Sequence, residues 1–274
     1  MGVIIRLKRF IKFSAALFLL TLVYGLIQPL RLTVTEVEIR DNDLPEQFSG
    51  KKIVFLTDSH LGHFLSQRRL GEMVSKVNDI GADIVILGGD YAEQDPRDYN
   101  RAFAELKGLR ASLGVYAVLG NHDYKAGRKY IISIIEQSGI KSLDNEATWI
   151  TAGENKIKIG GVGDLWLSNQ DTAPTLSDTT PADFTVLVSH NPDYAKEVPT
   201  DKIDLVLAGH THAGQVSLFG LWAPWVPSKY GQEFRYGLKD INDMKLYITS
   251  GLGTTFIPLR FFTRPEIAVI TLKR

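Results

Sequence analysis

Five short apolar runs in this chain each end in a cluster of polar residues, and this feature constrains the fold more than any other. The runs are KIVFLT, DIVILGG, VYAVLG, FTVLVS and DLVLAG, and the clusters that close or follow them are rich in aspartate, asparagine and histidine. Continuous apolar runs of this length are typical of buried strands in parallel sheets. Ligands of α/β proteins bind at the carboxyl ends of such strands. The pattern therefore predicts an α/β fold whose strand ends form one polar site.

Helical segments separate the predicted strands. Residues 66–81 carry apolar side chains at the spacing of one helix face, with Ser66 and Gly81 as the predicted N-cap and C-cap. Those apolar positions are Leu70, Met73, Val74, Val77 and Ile80. Two more helices are predicted over about 97–110 and 126–138. Strands that alternate with helices pair in parallel, which supports the α/β class.

The N-terminal segment is predicted to be a membrane anchor. Residues 13–30 contain no charged residue, and a helix of that length spans roughly the hydrocarbon core of a bilayer. A basic cluster precedes this segment: Arg6, Lys8, Arg9 and Lys12. Positive residues stay inside, so a single-pass topology with an extracytoplasmic domain is predicted. A cleaved signal peptide is the alternative, but LIQPLRL lacks the small residues of a cleavage site.

We predict a basic segment and membrane anchor at 1–32, followed by one catalytic domain at 33–274. The composition excludes some functions for this domain. Lysine plus arginine equals aspartate plus glutamate at 31 each, and this neutral balance argues against a nucleic-acid partner. The chain has no cysteine, so disulfides and thiolate metal sites are excluded.

The polar strand ends predict a metal centre. They supply Asp58, His60, Asp90, Asn121, His122, Asp123, His190, His210 and His212, and thus five of the six histidines. Any one of them alone would be interpreted as a satisfied polar residue at a strand end. Together, imidazole, carboxylate and amide groups suit Mn, Fe, Co or Zn. The donors outnumber the needs of one cation, so we predict two divalent cations, about 3.5–4 Å apart, that share a carboxylate.

These residues give the chain a recognisable signature. It resembles the calcineurin-like metallophosphoesterases, whose blocks D-x-H, G-D, G-N-H-D/E, H and G-H-x-H occur here in order as DSH, GD, GNHD, His190 and GHTH. GGDY, SHNPD, GHTHAGQ and RPEIAVITL further resemble the membrane-anchored bacterial phosphodiesterases of the YkuE/YaeI type. The resemblance covers about residue 50 to the C-terminus. It implies two mixed sheets in a four-layer α-β-β-α sandwich, where the sequence pattern alone gives only α/β.

The resemblance also implies roles for the matched residues. One cation would be held by Asp58, His60 and His212, and the other by Asn121, His190 and His210, with Asp90 bridging both. His122 would contact the substrate phosphate and either protonate the leaving oxygen or stabilise the transition state, and Asp123 would orient His122 through a hydrogen bond. In this scheme a water between the cations loses a proton near neutral pH and attacks phosphorus in line with the leaving oxygen. The implied reaction is hydrolysis of a phosphomonoester or phosphodiester.

Candidate substrate contacts rest on position alone. Tyr91 and Tyr124 each follow a metal block. Arg260 and Arg264 could meet a substrate phosphate or headgroup, with surface salt bridges as the alternative.

A proline-rich loop, 219–237, carries Trp222 and Trp225. Aromatic residues favour the membrane–water interface, so one interpretation is an apolar wall near the metals that touches lipid. Ordinary core packing is the alternative.

Three functions remain open from the sequence. The first is a membrane-anchored phosphohydrolase with a dimetal centre, acting on a phosphoester that a lipid could carry. The second is pyrophosphate cleavage in a lipid precursor such as UDP-diacylglucosamine, which some related membrane-bound enzymes perform and which an outward-facing domain would exclude. The third is a non-catalytic metal-binding module, which is disfavoured because every ligand of the signature is present.

Overall fold

The computed structural model describes residues 2–93, 95–199 and 201–274, and its strands form two six-stranded sheets. In chain order the strands are β1 (Thr33–Arg40), β2 (Lys52–Leu56), β3 (Ile84–Leu87), β4 (Val115–Ala117), β5 (Lys141–Ser142), β6 (Glu146–Ala152), β7 (Asn155–Gly161), β8 (Thr185–Val188), β9 (Leu205–Ala208), β10 (Gly237–Ile241), β11 (Met244–Ile248) and β12 (Glu266–Lys273).

Helices connect many of these strands. They are α1 (Gly2–Ile27), α2 (Gln67–Ile80), α3 (Pro96–Leu106), α4 (Asn121–Gln137) and the short α5 (Ala173–Leu176). Short 3-10 helices lie at Gln28–Leu30, Glu46–Phe48, Pro192–Lys196 and His212–Gly214.

Both sheets are mixed. The first has the order β1-β12-β2-β3-β4-β5, in which β2 to β5 pair in parallel and β12 runs antiparallel to β2. The second has the order β10-β11-β9-β8-β7-β6, in which the four central strands are parallel and each edge strand is antiparallel to its neighbour. Within each sheet, the carboxyl ends of the parallel strands therefore lie at the same edge, and the polar residues follow there.

Three apolar clusters define the layers. The first lies between the first sheet and helices α2 to α4, with Phe103 and Ile131 among its members. The second fills the space between the two sheets around Phe55. The third covers the outer face of the second sheet, where Tyr194 and Phe234 are buried beneath short helical segments and loops. The predicted architecture of two mixed sheets with helices is confirmed, although its fourth layer consists of short segments.

The sequence predicts the bounds of α2 accurately and those of α4 only in part. Ser66 caps α2 by accepting a hydrogen bond from the N–H of Arg69, and Gly81 ends the helix with φ of 67°. The helix predicted over 126–138 instead begins at Asn121 and is interrupted at Gly127, where φ is 120°. The GNHD block thus opens a helix, which the apolar spacing alone did not indicate.

The N-terminal helix stands largely free of the domain. Its segment from Ile5 to Leu30 has a mean hydropathy of 2.1 and is 6% buried, so it is long and apolar enough to cross a membrane. Only its carboxyl end contacts the rest of the described chain closely. There the N–H of Arg260 donates to Gly25 O at 3.1 Å, and Arg69 Nη2 donates to Pro29 O at 2.6 Å.

The layer between the sheets yields a stability prediction. Phe55 is fully buried there, whereas Phe64 is an exposed phenylalanine on a loop. Phe55→Ala leaves a cavity and is expected to lower the free energy of unfolding by about 3–5 kcal/mol. Phe64→Ala, the control, is expected to change it by about 0.5 kcal/mol or less. Chemical denaturation of the full chain in detergent measures both, and equal effects would contradict this account of the core.

Candidate metal centre

The loops that follow the strands hold the candidate ligands in unusual backbone conformations. Asp58, His60, Asp90, His210 and His212 all have positive φ, between 43° and 68°. Residues other than glycine rarely adopt this left-handed region. Strain of this kind is concentrated at functional sites, where the surrounding structure holds it in place. The five backbones are therefore held so that their side chains point into one space rather than along the strands.

The first group of donors comprises Asp58, His60 and His212, all buried. The Nε2 atoms of the two histidines are 3.2 Å apart, and His212 Nε2 lies 3.4 Å from Asp58 Oδ1. Asp58 follows β2 and His212 follows β9, so this group joins the two sheets.

The second group comprises Asp90, His190 and His210, also buried. Asp90 Oδ2 is 3.3 Å from His190 Nε2 and 3.6 Å from His60 Nε2, so this carboxylate lies between the two groups. His190 Nδ1 lies 2.8 Å from the carbonyl oxygen of Gly88. If that nitrogen carries the proton, Nε2 presents its lone pair to the centre, as is usual for metal-binding imidazoles.

Several buried nitrogen and oxygen atoms that could bind a metal lack a hydrogen-bond partner among the described residues. They include Asn121 Oδ1, His190 Nε2 and His210 Nε2. Leaving a buried polar atom unsatisfied costs about 1–3 kcal/mol, and native structures contain few such atoms. A cation that accepts these lone pairs would remove that cost. The residues present therefore fit divalent cations, and the absence of thiolates favours Mn, Fe, Co or Zn in an open site.

Burial and neighbouring charge prepare His210, His212 and Asp90 for a cation. Burial, reinforced by the charge of His190, lowers the pKa of His210 to about 3. Burial and His60 hold the pKa of His212 well below its ordinary value. Burial would raise the pKa of Asp90, but His190, His60 and His122 together outweigh it and keep that pKa well below its usual range. Neutral imidazoles and ionised carboxylates are the forms that bind metals. Burial also lowers the pKa values of His60 and His190, but the surrounding carboxylates, chiefly Glu93 for His60 and Asp90 for His190, outweigh it and raise both, so a cation would have to displace a proton from each of these rings.

Two glycines allow the loops to approach each other closely. A Cβ on Gly89 would lie 2.3 Å from the backbone nitrogen of Gly120, and Gly89 has φ of 94°. A Cβ on Gly120 would lie 2.2 Å from Asp90 Oδ1. No side chain can be inserted here without separating Asp90 from the GNHD helix.

His122 lies beside the first donor group: its ring centroid is 4.8 Å from that of His60, and with His60 and Glu93 it forms a third group of possible ligands. It is partly exposed, and its Nδ1 lies 3.0 Å from the carbonyl oxygen of Glu93. The Glu93 carboxylate lies 3.6 Å from the same nitrogen and 3.4 Å from His60 Nδ1. Sequence reasoning missed Glu93; the available signal was an acidic residue three positions after Asp90 in GGDYAE.

The contacts of Asp123 differ from the predicted contact with His122. Its Oδ2 accepts hydrogen bonds from the N–H groups of Asp90 at 2.7 Å and Gly120 at 2.8 Å, and its Oδ1 accepts from Tyr91 N–H at 3.1 Å. These bonds direct the carboxylate at the backbone of two loops and not at the imidazole of His122. The described residues show no hydrogen bond from Asp123 to the His122 ring, and the bonds that are present join Asp123 to the loop of Asp90.

A cavity of about 370 Å³ opens above the donor groups. Its base includes His60, Asp90, Asn121, His122, His210 and His212, and its walls include Lys125, Trp166, Trp225, Phe256 and Ile257. The Trp166 ring meets His210 edge-on, with centroids 4.5 Å apart. Trp225 is exposed and lines the cavity, so it is not a core residue. Trp222 is also exposed but lies outside the lining.

The structure does not bring the two candidate tyrosines into this cavity. Tyr91 is buried, and its hydroxyl donates to the carbonyl oxygen of Val118 at 2.5 Å. The hydroxyl of Tyr124 donates to the Asp144 carboxylate at 2.8 Å. Neighbouring acceptors hold both hydroxyl groups, and neither of the two tyrosines predicted to bind substrate lines the cavity.

The two candidate arginines lie elsewhere as well. Arg260 is completely buried, and its guanidinium donates to backbone carbonyl oxygens, at 2.7 Å for Ser250 and 3.1 Å for Gly253. Arg264 Nε donates to Gln28 Oε1 at 3.2 Å, beside the end of α1. Arg260 thus stabilises a loop, and Arg264 contacts the base of the N-terminal helix, so neither side chain lines the cavity above the donor groups.

Comparison with known proteins agrees with this geometry. The sequence profile of the calcineurin-like phosphoesterases matches residues 51–214. The uncharacterized metallophosphoesterase YkuE of Bacillus subtilis is 32% identical over 251 residues, which cover 90% of this chain and 87% of that protein. The phosphodiesterase YaeI of Escherichia coli is 31% identical over 226 residues, covering 81% and 82%.

Longer relatives and solved structures also match. A transmembrane protein with a metallophosphoesterase domain from Danio rerio is 32% identical over 269 residues, which cover 92% of this chain and 60% of that protein. Among solved structures, the sulfate thiohydrolase SoxB of Thermus thermophilus is similar with a TM-score of 0.49 and 12% identity, covering 84% of this chain and 57% of that one.

The contacts of Asp123 generate a prediction. Asp123→Asn turns an NH₂ group toward backbone N–H donors, and should lower the stability of the metal-free chain by about 2–3 kcal/mol. The displaced Asp90 loop should weaken metal binding about 10- to 100-fold. Asp144→Asn is the control, since it alters a buried carboxylate outside the centre. Thermal unfolding and calorimetric metal titration measure the two effects, and unaltered metal affinity in Asp123→Asn would refute the positioning role.

Proposed function

The chain belongs to the calcineurin-like phosphoesterase family of metal-dependent hydrolases, and we propose that it hydrolyses phosphoesters with two divalent cations held at the base of its cavity. The observation that carries the proposal is the position of Asp90, a member of the second group whose Oδ2 lies 3.3 Å from His190 Nε2 and 3.6 Å from His60 Nε2 of the first group. One carboxylate that faces both groups is what a pair of cations a few ångströms apart requires.

The ligands divide between the two cations as follows. One cation would take Asp58, His60 and His212, the second would take Asn121, His190 and His210, and Asp90 would contribute to both. The orphaned lone pairs of Asn121, His190 and His210 support the second set independently of the sequence signature. Bound as a pair, the cations would supply an activated water and offset the charge of the phosphoryl oxygens.

His122 is the proposed acid for the leaving oxygen. Its Nδ1 faces the carbonyl oxygen of Glu93, and that contact leaves Nε2 as the nitrogen for a substrate oxygen. The Glu93 carboxylate lies 3.6 Å from the same Nδ1 and would help to hold the ring with Nε2 toward the leaving oxygen, where an acid is needed.

Other cavity residues would bind the phosphate and limit water. Lys125 lies three residues after His122 on α4, so both side chains share one helix face, and both line the cavity. Its ammonium would attract a phosphoryl oxygen. Trp166 packs against His210 and shields that side of the centre from bulk water.

The N-terminal helix completes the proposal. We assign α1 as a single membrane span with the basic residues around Arg9 on the inner side and the catalytic domain, 33–274, on the outer side. An outward-facing domain disfavours a substrate that is made on the cytoplasmic side.

Loss of the shared carboxylate tests the metal centre. Asp90→Asn removes a charge from both sites, so metal content should fall and kcat/KM on a chromogenic phosphodiester should fall by more than about 100-fold. Asp243→Asn, in the exposed turn before β11, should change neither. Metal analysis of the purified chain accompanies the assay. Full activity in metal-free Asp90→Asn protein would rule out the proposed centre.

The role of His122 is tested by varying the leaving group. His122→Ala should retain its metal content, and kcat should fall about 10²- to 10⁴-fold for esters whose leaving alcohol has a high pKa. Esters of 4-nitrophenol leave without a proton, so their rates should fall much less. A Brønsted plot for the two proteins measures the difference. Parallel plots would show that His122 does not protonate the leaving oxygen.

A further inference from the structure

Two loops beside the metal cavity expose large apolar side chains to their surroundings. We call this surface the apolar collar and define it by Leu218, Phe219, Leu221, Trp222, Phe256, Ile257 and Phe262. Leu221 is 81% exposed, Phe256 79% and Phe219 76%. Scattered exposed apolar residues are ordinary on soluble proteins, but a contiguous patch marks an interaction site.

The collar is continuous with the end of α1. The ring of Tyr24, in the last turns of α1, packs against Phe262 with centroids 5.4 Å apart, and Phe262 packs against Phe219 at 5.2 Å. The two loops are joined by a hydrogen bond from Ser217 N–H to Phe261 O at 2.9 Å. The collar therefore begins where the apolar helix meets the domain.

The same surface reaches the mouth of the metal cavity. Phe256 and Ile257 belong both to the collar and to the cavity wall. Phe256 faces Trp225, another exposed wall residue, with ring centroids 6.4 Å apart. Val216 also lines the cavity and pairs in a β-bridge with Phe261, whose ring packs against Tyr24 with centroids 4.9 Å apart, so an apolar path runs from the helix to the cavity.

The backbone of the collar is held so that its rings point outward. Phe219, Phe256 and Phe262 have φ of 55°, 61° and 51°. Bulky side chains are genuine outliers in this region, and strained backbones are concentrated at functional sites. In water the exposed faces of these rings gain no free energy from burial. At a lipid interface the same faces would be buried.

From this continuity we propose that the apolar collar inserts into the membrane face from which α1 emerges, and that the cavity takes a phosphoester carried by a membrane lipid. Interfacial protein segments likewise bury an apolar face at the boundary between the lipid headgroups and the acyl chains. The lipid phosphate would enter the cavity while its hydrocarbon chain stays against the collar. The proposal rests on the phosphoesterase function proposed above.

The absence of cysteine allows a direct test of insertion in the full chain. Leu221→Cys carries a nitroxide label, and the protein is reconstituted in phosphatidylcholine–phosphatidylglycerol vesicles. The control is Glu154→Cys, in the exposed turn between β6 and β7. This turn precedes the amino end of the parallel strand β7, and therefore lies at the opposite end of the sheet from the metal donors. The Leu221 label should collide with oxygen in preference to an aqueous nickel complex, and the Glu154 label should do the reverse. Equal access of nickel to both labels would overturn the insertion.

Substrate class is tested with two esters that differ only in their chain. Methyl 4-nitrophenyl phosphate is soluble, and hexadecyl 4-nitrophenyl phosphate is carried in the same vesicles. The unmodified protein should show a kcat/KM at least about tenfold higher for the hexadecyl ester. The double variant Phe219→Ser/Leu221→Ser should lose that excess and retain the rate on the methyl ester, because neither residue lines the cavity.

The outcomes separate this inference from the function on which it rests. Equal rates of the unmodified protein on both esters would overturn the lipid substrate and leave the phosphoesterase in place. No hydrolysis of either ester by the metal-loaded protein would overturn the phosphoesterase itself. An unchanged hexadecyl preference in the double variant would overturn the role of the collar.

Discussion

Three backbone N–H groups converge on the carboxylate of Asp123, and the geometry of the centre depends on that convergence. Two of them come from the loop of Asp90 and the third from Gly120, so one buried side chain fixes the distance between the two loops. The absence of Cβ atoms at Gly89 and Gly120 allows the short separation. Burial and the charge of Asp90 raise the pKa of Asp123 to about 7, and a cation bound to Asp90 would relieve that repulsion. Metal binding and loop geometry are thus coupled.

Much of the fold and of the donor set could be predicted because both leave local signals. Buried parallel strands appear as apolar runs, and each run indicates where its polar end lies, as for Asp58 after β2 and His210 after β9. The caps of α2 are equally local, since Ser66 and Gly81 act on their own helix. The four-layer arrangement was not available from periodicity. It depends on which strands pair, and the prediction came from the family signature.

The substrate contacts could not be predicted in the same way. Arg260 lies in a polar–aromatic segment that is compatible with either exposure or burial, and only the tertiary structure shows the carbonyl oxygens of the 250–253 loop around its guanidinium. Tyr91 follows Asp90 directly, yet neighbouring residues on a turn point in different directions, and its hydroxyl meets Val118. Glu93 was missed because its partner His122 is distant in sequence, so that no local pattern connects the two residues.

The junction of α1 with the domain determines how the protein can move. Strand β1 begins at Thr33, soon after α1 ends at Ile27, and a backbone hydrogen bond joins Gly25 to Arg260. A long Gly/Ser-rich linker would let a domain swing through a wide volume. With α1 in a bilayer, as proposed, this junction would instead give the site a nearly constant height and tilt above the membrane. Encounters with a lipid-borne substrate would then become a lateral, two-dimensional search in the plane of the membrane, governed by surface density instead of bulk concentration.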